Sequence, residues 1–260
     1  MKKILKGVVL LVLFWVTILP FHVNAAVGKV PKIERTCDYR TKELEFYICN
    51  CFQTSNSNTA SNHNTVKVAI RNTTKQVKIP EEVSIKGIRY TVTGIVPNAK
   101  EYSMYYADKY IDLNRDIKIY RKNTKTQVIS IPKTVITIED GSFNRFTKLK
   151  KFKVSSGNKK FKTVKGTLLS KSGKILYAGV STKGTYYVPA GVQSIAKRAF
   201  AYSTVKRIVL PKSCKKIDSR AFYKCMKLKK INLKQVNQYG ANAFFKTKIK
   251  KIDRFGNLFK

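Results

Sequence analysis

The sequence predicts a repeat solenoid, mainly β, with coils of about 22 residues stacked on a continuous sheet of short strands. Three observations carry this reading. The phrases IAKRAF, IDSRAF and YGANAF end at Phe200, Phe222 and Phe244, a spacing of 22 residues, and an earlier copy, IEDGSF, ends at Phe143. Within a unit, KLKKINL sets Leu228, Ile231 and Leu233 on one side and Lys230 and Asn232 on the other, as alternation along a strand requires. The chain is 43% hydrophobic with 14 Tyr and 14 Phe, enough for a packed core. A unit this small cannot bury its apolar face alone, so neighbouring units must stack.

Taken in order, residues 1–25 read as a secretory signal peptide. Lys2, Lys3 and Lys6 precede the apolar stretch Gly7 to Leu19, Pro20 ends it, and Val23-Asn24-Ala25 supplies small residues for cleavage after Ala25. The apolar stretch is shorter than the ~20 residues of a membrane span, so no integral span is expected in the mature chain. Residues 26–65 show no period; they contain Cys37, Cys49 and Cys51 and end in QTSNSNTASNHNT, a Ser/Asn-rich linker. Residues 66–100 read as short strands, VKVAI alternating at period 2 and VKIPEEVSIKGIRYTVTGI turning at Lys86-Gly87. Residues 101–127 fit no template and are assigned to a divergent coil.

From Val128 the repeat governs the chain. The proline of VLPKSC ends a strand, because its ring nitrogen cannot donate to a ladder. Ile217, Ala221 and Phe222 then fill the far side of the coil, and stacking places Phe200, Phe222 and Phe244 in one internal column. Cys214 occupies the slot that Val135 and Val192 fill in sister units, and Cys225 follows the ring; both read as small buried apolar residues.

The phrases IPKTVITIEDGSF, VPAGVQSIAKRAF and LPKSCKKIDSRAFYKCMKLKKINL, with the lead-in VKIPEEVSIKGIRYTVTGI, resemble BspA-type leucine-rich repeats, a family of bacterial and protist surface proteins. The resemblance covers residues 66–260. The extra stretch between Phe143 and Phe200 resembles the hairpin insertion common in such proteins, near 157–187, with a turn at Ser172-Gly173. It implies a non-enzymatic binding scaffold concerned with adhesion or recognition of other cells and their matrix. It does not name a ligand, since function sits in residues grafted on the fold.

Charge narrows the ligand. The formal net charge is +39, and residues 141–260 hold 31 Lys and Arg against Asp218 and Asp253 alone. The outward strand positions of successive units carry Lys151 and Lys153, Arg207, Lys230, and Lys251, preceded by Lys150, Lys206, Lys229 and Lys250. On strands about 4.8 Å apart these residues form two adjacent basic columns on one face, and like charges set opposite one another are destabilising. A polyanion relieves that repulsion. The expected partners are therefore anionic cell-wall polymers, acidic glycans or released extracellular DNA. The alternative is an extracellular protein, with the charge serving to hold the chain at an anionic surface. The expected location is secreted, or bound to the cell surface without a covalent anchor.

Other chemistry is thin. After signal cleavage His63 is the one histidine, and no Ser/His/Asp or Cys/His set assembles. Glu81-Glu82 and Glu139-Asp140 are sequence neighbours whose side chains point to opposite faces of a strand, so neither makes a catalytic pair. No enzyme activity, cofactor or metal is expected. One disulfide from Cys37 to Cys49 or Cys51 is the favoured pairing in an oxidising compartment.

Overall fold

Parallel ladders of very short strands, joined by antiparallel hairpins, build the repeats, as the 22-residue spacing requires. The computed structural model describes residues 37–49, 64–100, 119–180 and 184–250. The signal-peptide stretch, His63, Cys51 and Lys251 lie outside these. Among the described residues there are only strands and turns, and no helix is long and apolar enough to cross a membrane.

Each coil contributes two strands. The first ladder holds Thr185–Tyr187, Arg207–Val209 and Lys230–Ile231, all parallel, with Tyr186, Ile208 and Ile231 in register. The second holds Ile175–Ala178, Ser194–Ile195, Lys216–Ile217 and Gln238–Tyr239, with Leu176, Ile195, Ile217 and Tyr239 in register. Ile195, Ile208 and Ile217 are buried, and burying such a side chain stabilises by about 1.5–3 kcal/mol. Val135, Val192 and Cys214 are likewise all fully buried, as their shared slot predicts.

Between the second strand of one coil and the first strand of the next runs a corner built on the AF phrase. Phe222 stacks on Phe200 and on Phe244, each pair of ring centroids 5.3 Å apart. The backbone of each corner bonds to the next: Phe200 N–H donates to Ala221 O at 2.9 Å and Phe222 N–H to Ala243 O at 2.8 Å. The sequence gives little warning of the conformation this needs. Residues two before the ring (Gly141, Arg198, Arg220, Asn242) and two after it (Arg145, Tyr202, Lys224, Lys246) all have positive φ. For residues with a Cβ, that left-handed conformation costs about 1–2 kcal/mol each. The corner-to-corner bonds and the buried rings of Phe200, Phe222 and Phe244 offset the cost.

The N-terminal half repeats the scheme. Gln76–Lys78, Val128–Ile131 and Lys151–Val154 form the first ladder. Thr65–Ile70, Ile88–Ile95 and Thr137–Ile138 form the second. The expected Lys86-Gly87 turn joins Glu82–Ile85 to Ile88–Ile95 as an antiparallel hairpin, with both turn residues at positive φ, the two-residue geometry that matches strand twist. A strand that the sequence reading left without a period, Leu44–Ile48, pairs antiparallel with Thr65–Ile70. Leu44 and Phe46 enter the core. Glu45, buried between them in sequence, is neutralised by Arg40 at 3.1 Å and accepts a hydrogen bond from the Tyr47 hydroxyl at 3.1 Å.

The two halves meet at a seam. Phe161–Val164, Thr167–Ser170 and Ile175–Ala178 form an antiparallel meander, turning at Lys165-Gly166 as well as at Ser172-Gly173, where Gly173 N–H donates to Ser170 O at 2.8 Å. Its last strand joins the parallel second ladder of the C-terminal half, while Phe152 N–H of the other half donates to Gly166 O. Gly179 takes the place of a corner residue here. Its N–H reaches Ala199 O at 3.3 Å, and a Cβ on it would lie 2.0 Å from the Phe200 ring, so no larger residue fits. Asn158, fully buried, clamps the approach by donating to Pro132 O and Val135 O and accepting from the Lys160 and Phe161 N–H groups. Phe143, accordingly, does not continue the Phe200 column: it packs against Phe152 at 4.8 Å in a separate core cluster.

Candidate binding face

In the C-terminal half the first ladder turns its polar side outward, and the apolar residues between explain why. Val205, Ile208, Leu210 and Leu228 are buried, so Lys206, Arg207, Lys229 and Lys230 are driven to the surface, where all four are exposed. Arg207 and Lys230 stand directly opposite one another in the ladder. Lys229 N–H donates to Lys206 O at 2.9 Å, so those two residues also sit on adjacent rungs. The result is a two-by-two block of cations on rungs about 4.8 Å apart.

The other predicted residues fall elsewhere. Lys150, Lys151 and Lys153 are exposed on the N-terminal half. Lys151 aligns with Val128 and Gln76, and Lys153 aligns with Ser130 and then Lys78. The sequence reading places all these cations on two columns running up one face. The structure divides them into two groups, because the meander stands between Lys151–Val154 and Thr185–Tyr187. Lys250 is exposed beyond the last described strand. Lys251 lies outside the described residues.

None of these eight described cations forms an ion pair with a carboxylate of the described residues. The few acids near the repeats serve the second ladder and its corners instead: Asp218 takes Lys216 at 2.8 Å and Asp140 takes Lys197 at 3.0 Å. The block therefore keeps its charge. Two unit charges about 4 Å apart repel by about 1 kcal/mol even in water, and a screening length of about 8 Å at physiological salt does not hide neighbours this close.

Beside the block the same ladder carries a second outward column. Tyr187 aligns with Val209 in the ladder. The side chain that follows in this column, Asn232, folds back on the preceding rung, accepting from Leu210 N–H at 2.7 Å and donating to Leu210 O at 2.9 Å.

A second set of cations is committed to structure. Arg198 and Arg220 lie over the Tyr223 ring, Lys224 over Tyr202 and Tyr223, and Lys246 over Phe245. Tyr223 stacks on Phe245 at 5.2 Å and meets Tyr202 edge-on at 5.9 Å. Sequence reasoning missed this outer ridge. The signal was an aromatic residue one or two places after the AF ring at Tyr202, Tyr223 and Phe245.

Among the described residues, thiol, metal-binding and acid–base groups form no assembled site. Cys37 and Cys49 are half-buried free thiols. Burial pushes the Cys225 thiol up to about 12 and the Cys214 thiol up to about 11, so neither is a nucleophile at neutral pH. No group of three or more metal-binding side chains occurs among the described residues. Glu139 pairs with Lys67 at 3.1 Å and Asp140 with Lys197, so these neighbours act separately, as their positions in sequence imply.

A comparison with known families agrees with this architecture. A family model, the BspA type leucine rich repeat region, matches six copies over residues 116–177 and 173–259, more than half of the chain. Among solved structures, the chain is similar to a leucine-rich repeat protein from Eubacterium ventriosum, at 18% identity and a TM-score of 0.29, covering 50% of this chain and 61% of that one. It is similar to the pneumococcal vaccine antigen PcpA at 15% identity and a TM-score of 0.32, covering 82% and 88%. A leucine-rich repeat protein from Bacteroides ovatus matches at 21% identity and a TM-score of 0.40, covering 82% of this chain and 46% of that one. The first and third of these matches span less than two thirds of the other protein's length. No curated protein matches the chain.

Proposed function

The chain belongs to the BspA-type leucine rich repeat family, and on that footing we propose that it is an exported, non-enzymatic binding module that takes up anionic polymers of a cell surface through its basic strand face. One observation carries this reading. Lys206, Arg207, Lys229 and Lys230 are exposed on adjacent rungs, while the acids Asp140 and Asp218 are spent on other lysines. A polyanion laid across the rungs releases its counterions and removes the repulsion between them, which makes binding strong at low salt and weak at high salt. The partners that fit are wall polymers and acidic glycans. Such binding holds the protein at an anionic surface.

Replacing Lys206, Arg207, Lys229 and Lys230 together by Glu tests the reading on immobilised heparin and on purified wall polymer at two salt concentrations. Unchanged thermal unfolding of the variant establishes that it folds. The wild-type protein is retained at low salt and elutes as salt rises, and the variant is not retained. Equal retention of both proteins, or wild-type retention that does not change with salt, contradicts the assignment. In that case protein ligands presented on a matrix-protein array become the next candidates.

A further inference from the structure

We infer that Tyr187 makes the basic face a reader of sugar rings, so that its ligand is an acidic polysaccharide rather than a chain of phosphodiesters. This rests on the anionic-polymer reading above. Tyr187 is 71% exposed, the most exposed large hydrophobic side chain among the described residues. Its position is forced from within. Its neighbour Tyr186 is buried against Phe200, with ring centroids 5.0 Å apart, and its hydroxyl meets that of Thr167. Strand alternation then turns the next ring outward.

The surroundings leave that ring uncovered. Val209 is its ladder partner, short and half-buried, and Asn232 in the following coil is folded back onto Leu210. An open shelf results, with Tyr187 standing at one end. Arg207 and Lys230 border it from the parallel column two residues back along the strands, in which Thr185 holds the rung of Tyr187 itself; with columns about 6.6 Å and rungs about 4.8 Å apart, Arg207 lies about 8 Å and Lys230 about 12 Å from Tyr187 along the sheet. An acidic sugar matches this layout. The C–H face of a pyranose lies on an aromatic ring, whose face carries the negative side of its quadrupole, while a carboxylate or sulfate at the sugar's rim reaches the cations. The planar fork of Arg207 suits such an oxyanion bidentately.

A polyphosphate backbone offers charge but no sugar ring to stack. Single-stranded DNA offers rings, but its binding sites stack successive bases on several aromatic side chains. On this face Tyr187 has Val209 and Asn232, not further aromatics, along its column.

The test compares Tyr187→Ala, Tyr187→Phe and the double variant Arg207→Glu with Lys230→Glu, using heparin oligosaccharides, inorganic polyphosphate and single-stranded oligonucleotides titrated by calorimetry. Unchanged thermal unfolding of each variant establishes that it folds. Tyr187→Ala is expected to weaken heparin binding about tenfold, to leave polyphosphate binding and the salt slope unchanged, and to be rescued by Tyr187→Phe. The charge reversal weakens both ligands and reduces the salt slope. Equal effects of Tyr187→Ala on heparin and polyphosphate, or none on either, overturn the inference, as does a loss confined to the oligonucleotide. If the wild-type protein binds none of the three, the anionic-polymer reading itself fails, and the two failures are distinct.

Discussion

Replacing Phe222 by Ala removes the middle ring of the internal column. The side chain has no exposed surface and contacts a ring on either side, Phe200 and Phe244, each at 5.3 Å with interplanar angles of 19° and 12°. Truncating a fully buried Phe costs about 3–5 kcal/mol from lost burial and the cavity left behind. Both neighbouring coils lose a partner, and in a solenoid stability is the sum of units and their nearest-neighbour interfaces, so the upper part of that range is expected. Phe222→Leu keeps most of the volume but forfeits two ring pairs, worth about 0.5–1.5 kcal/mol each, and should cost about half as much. Phe143→Ala provides the contrast: its ring is half-buried in the other core cluster, and about 1–2 kcal/mol is expected from the smaller area removed. Urea unfolding followed by circular dichroism measures all three, with the midpoint shifting at constant slope. A loss below about 1 kcal/mol for Phe222→Ala would sink the argument that the column holds the coils in register.

The corner conformation and the buried weak acids give two further expectations. Arg220 has φ of +55° and lies over the Tyr223 ring; Gly and Ala both lose that contact, but only Gly adopts the left-handed conformation freely, so Arg220→Gly should be about 1 kcal/mol more stable than Arg220→Ala, and equal midpoints in urea would refute the strain. Stability should also fall on the alkaline side. Burial raises Cys225 from 9.0 to about 12, Cys214 from 9.0 to about 11 and Tyr186 from 10.0 to about 12. Between the unfolded and folded values the unfolded chain binds fewer protons. Stability is therefore unaffected by these groups below about pH 8 and declines as pH rises through 9 to 11, each group contributing a slope of up to about 1.4 kcal/mol per pH unit. Urea midpoints that stay flat from pH 8 to 10.5 would show that these groups are not shielded as the fold implies.

Particular residues show where the sequence was legible. The Phe200, Phe222 and Phe244 column and the Val135, Val192 and Cys214 slot follow from spacing alone, because each repeats the same burial in every coil. The strand Leu44–Ile48 escaped notice although Leu44, Phe46 and Ile48 alternate, since one short strand flanked by irregular sequence has no second copy to confirm its period. The left-handed corners were hidden for a different reason. Arg198 and Arg220 are residues that rarely take positive φ, and only Gly141 and Asn242 at the same position hint at it. On the candidate face, exposure of Arg207 and Lys230 was readable from alternation with Ile208 and Ile231, whereas the separation of these cations from Lys150, Lys151 and Lys153 was not.

By itself, then, the sequence determined the repeat, its inward residues and its excess of positive charge, because periodicity and composition are local properties that each coil states again. The tertiary structure alone decided which cations become neighbours. A meander whose last strand joins the second ladder interrupts the first, so Arg207 faces Lys230 but not Lys151. It also decided which carboxylates are spent on other lysines and which tyrosine of the pair Tyr186 and Tyr187 stands in solvent. Those outcomes depend on strand register across the seam, and register is set by pairing between segments distant in sequence.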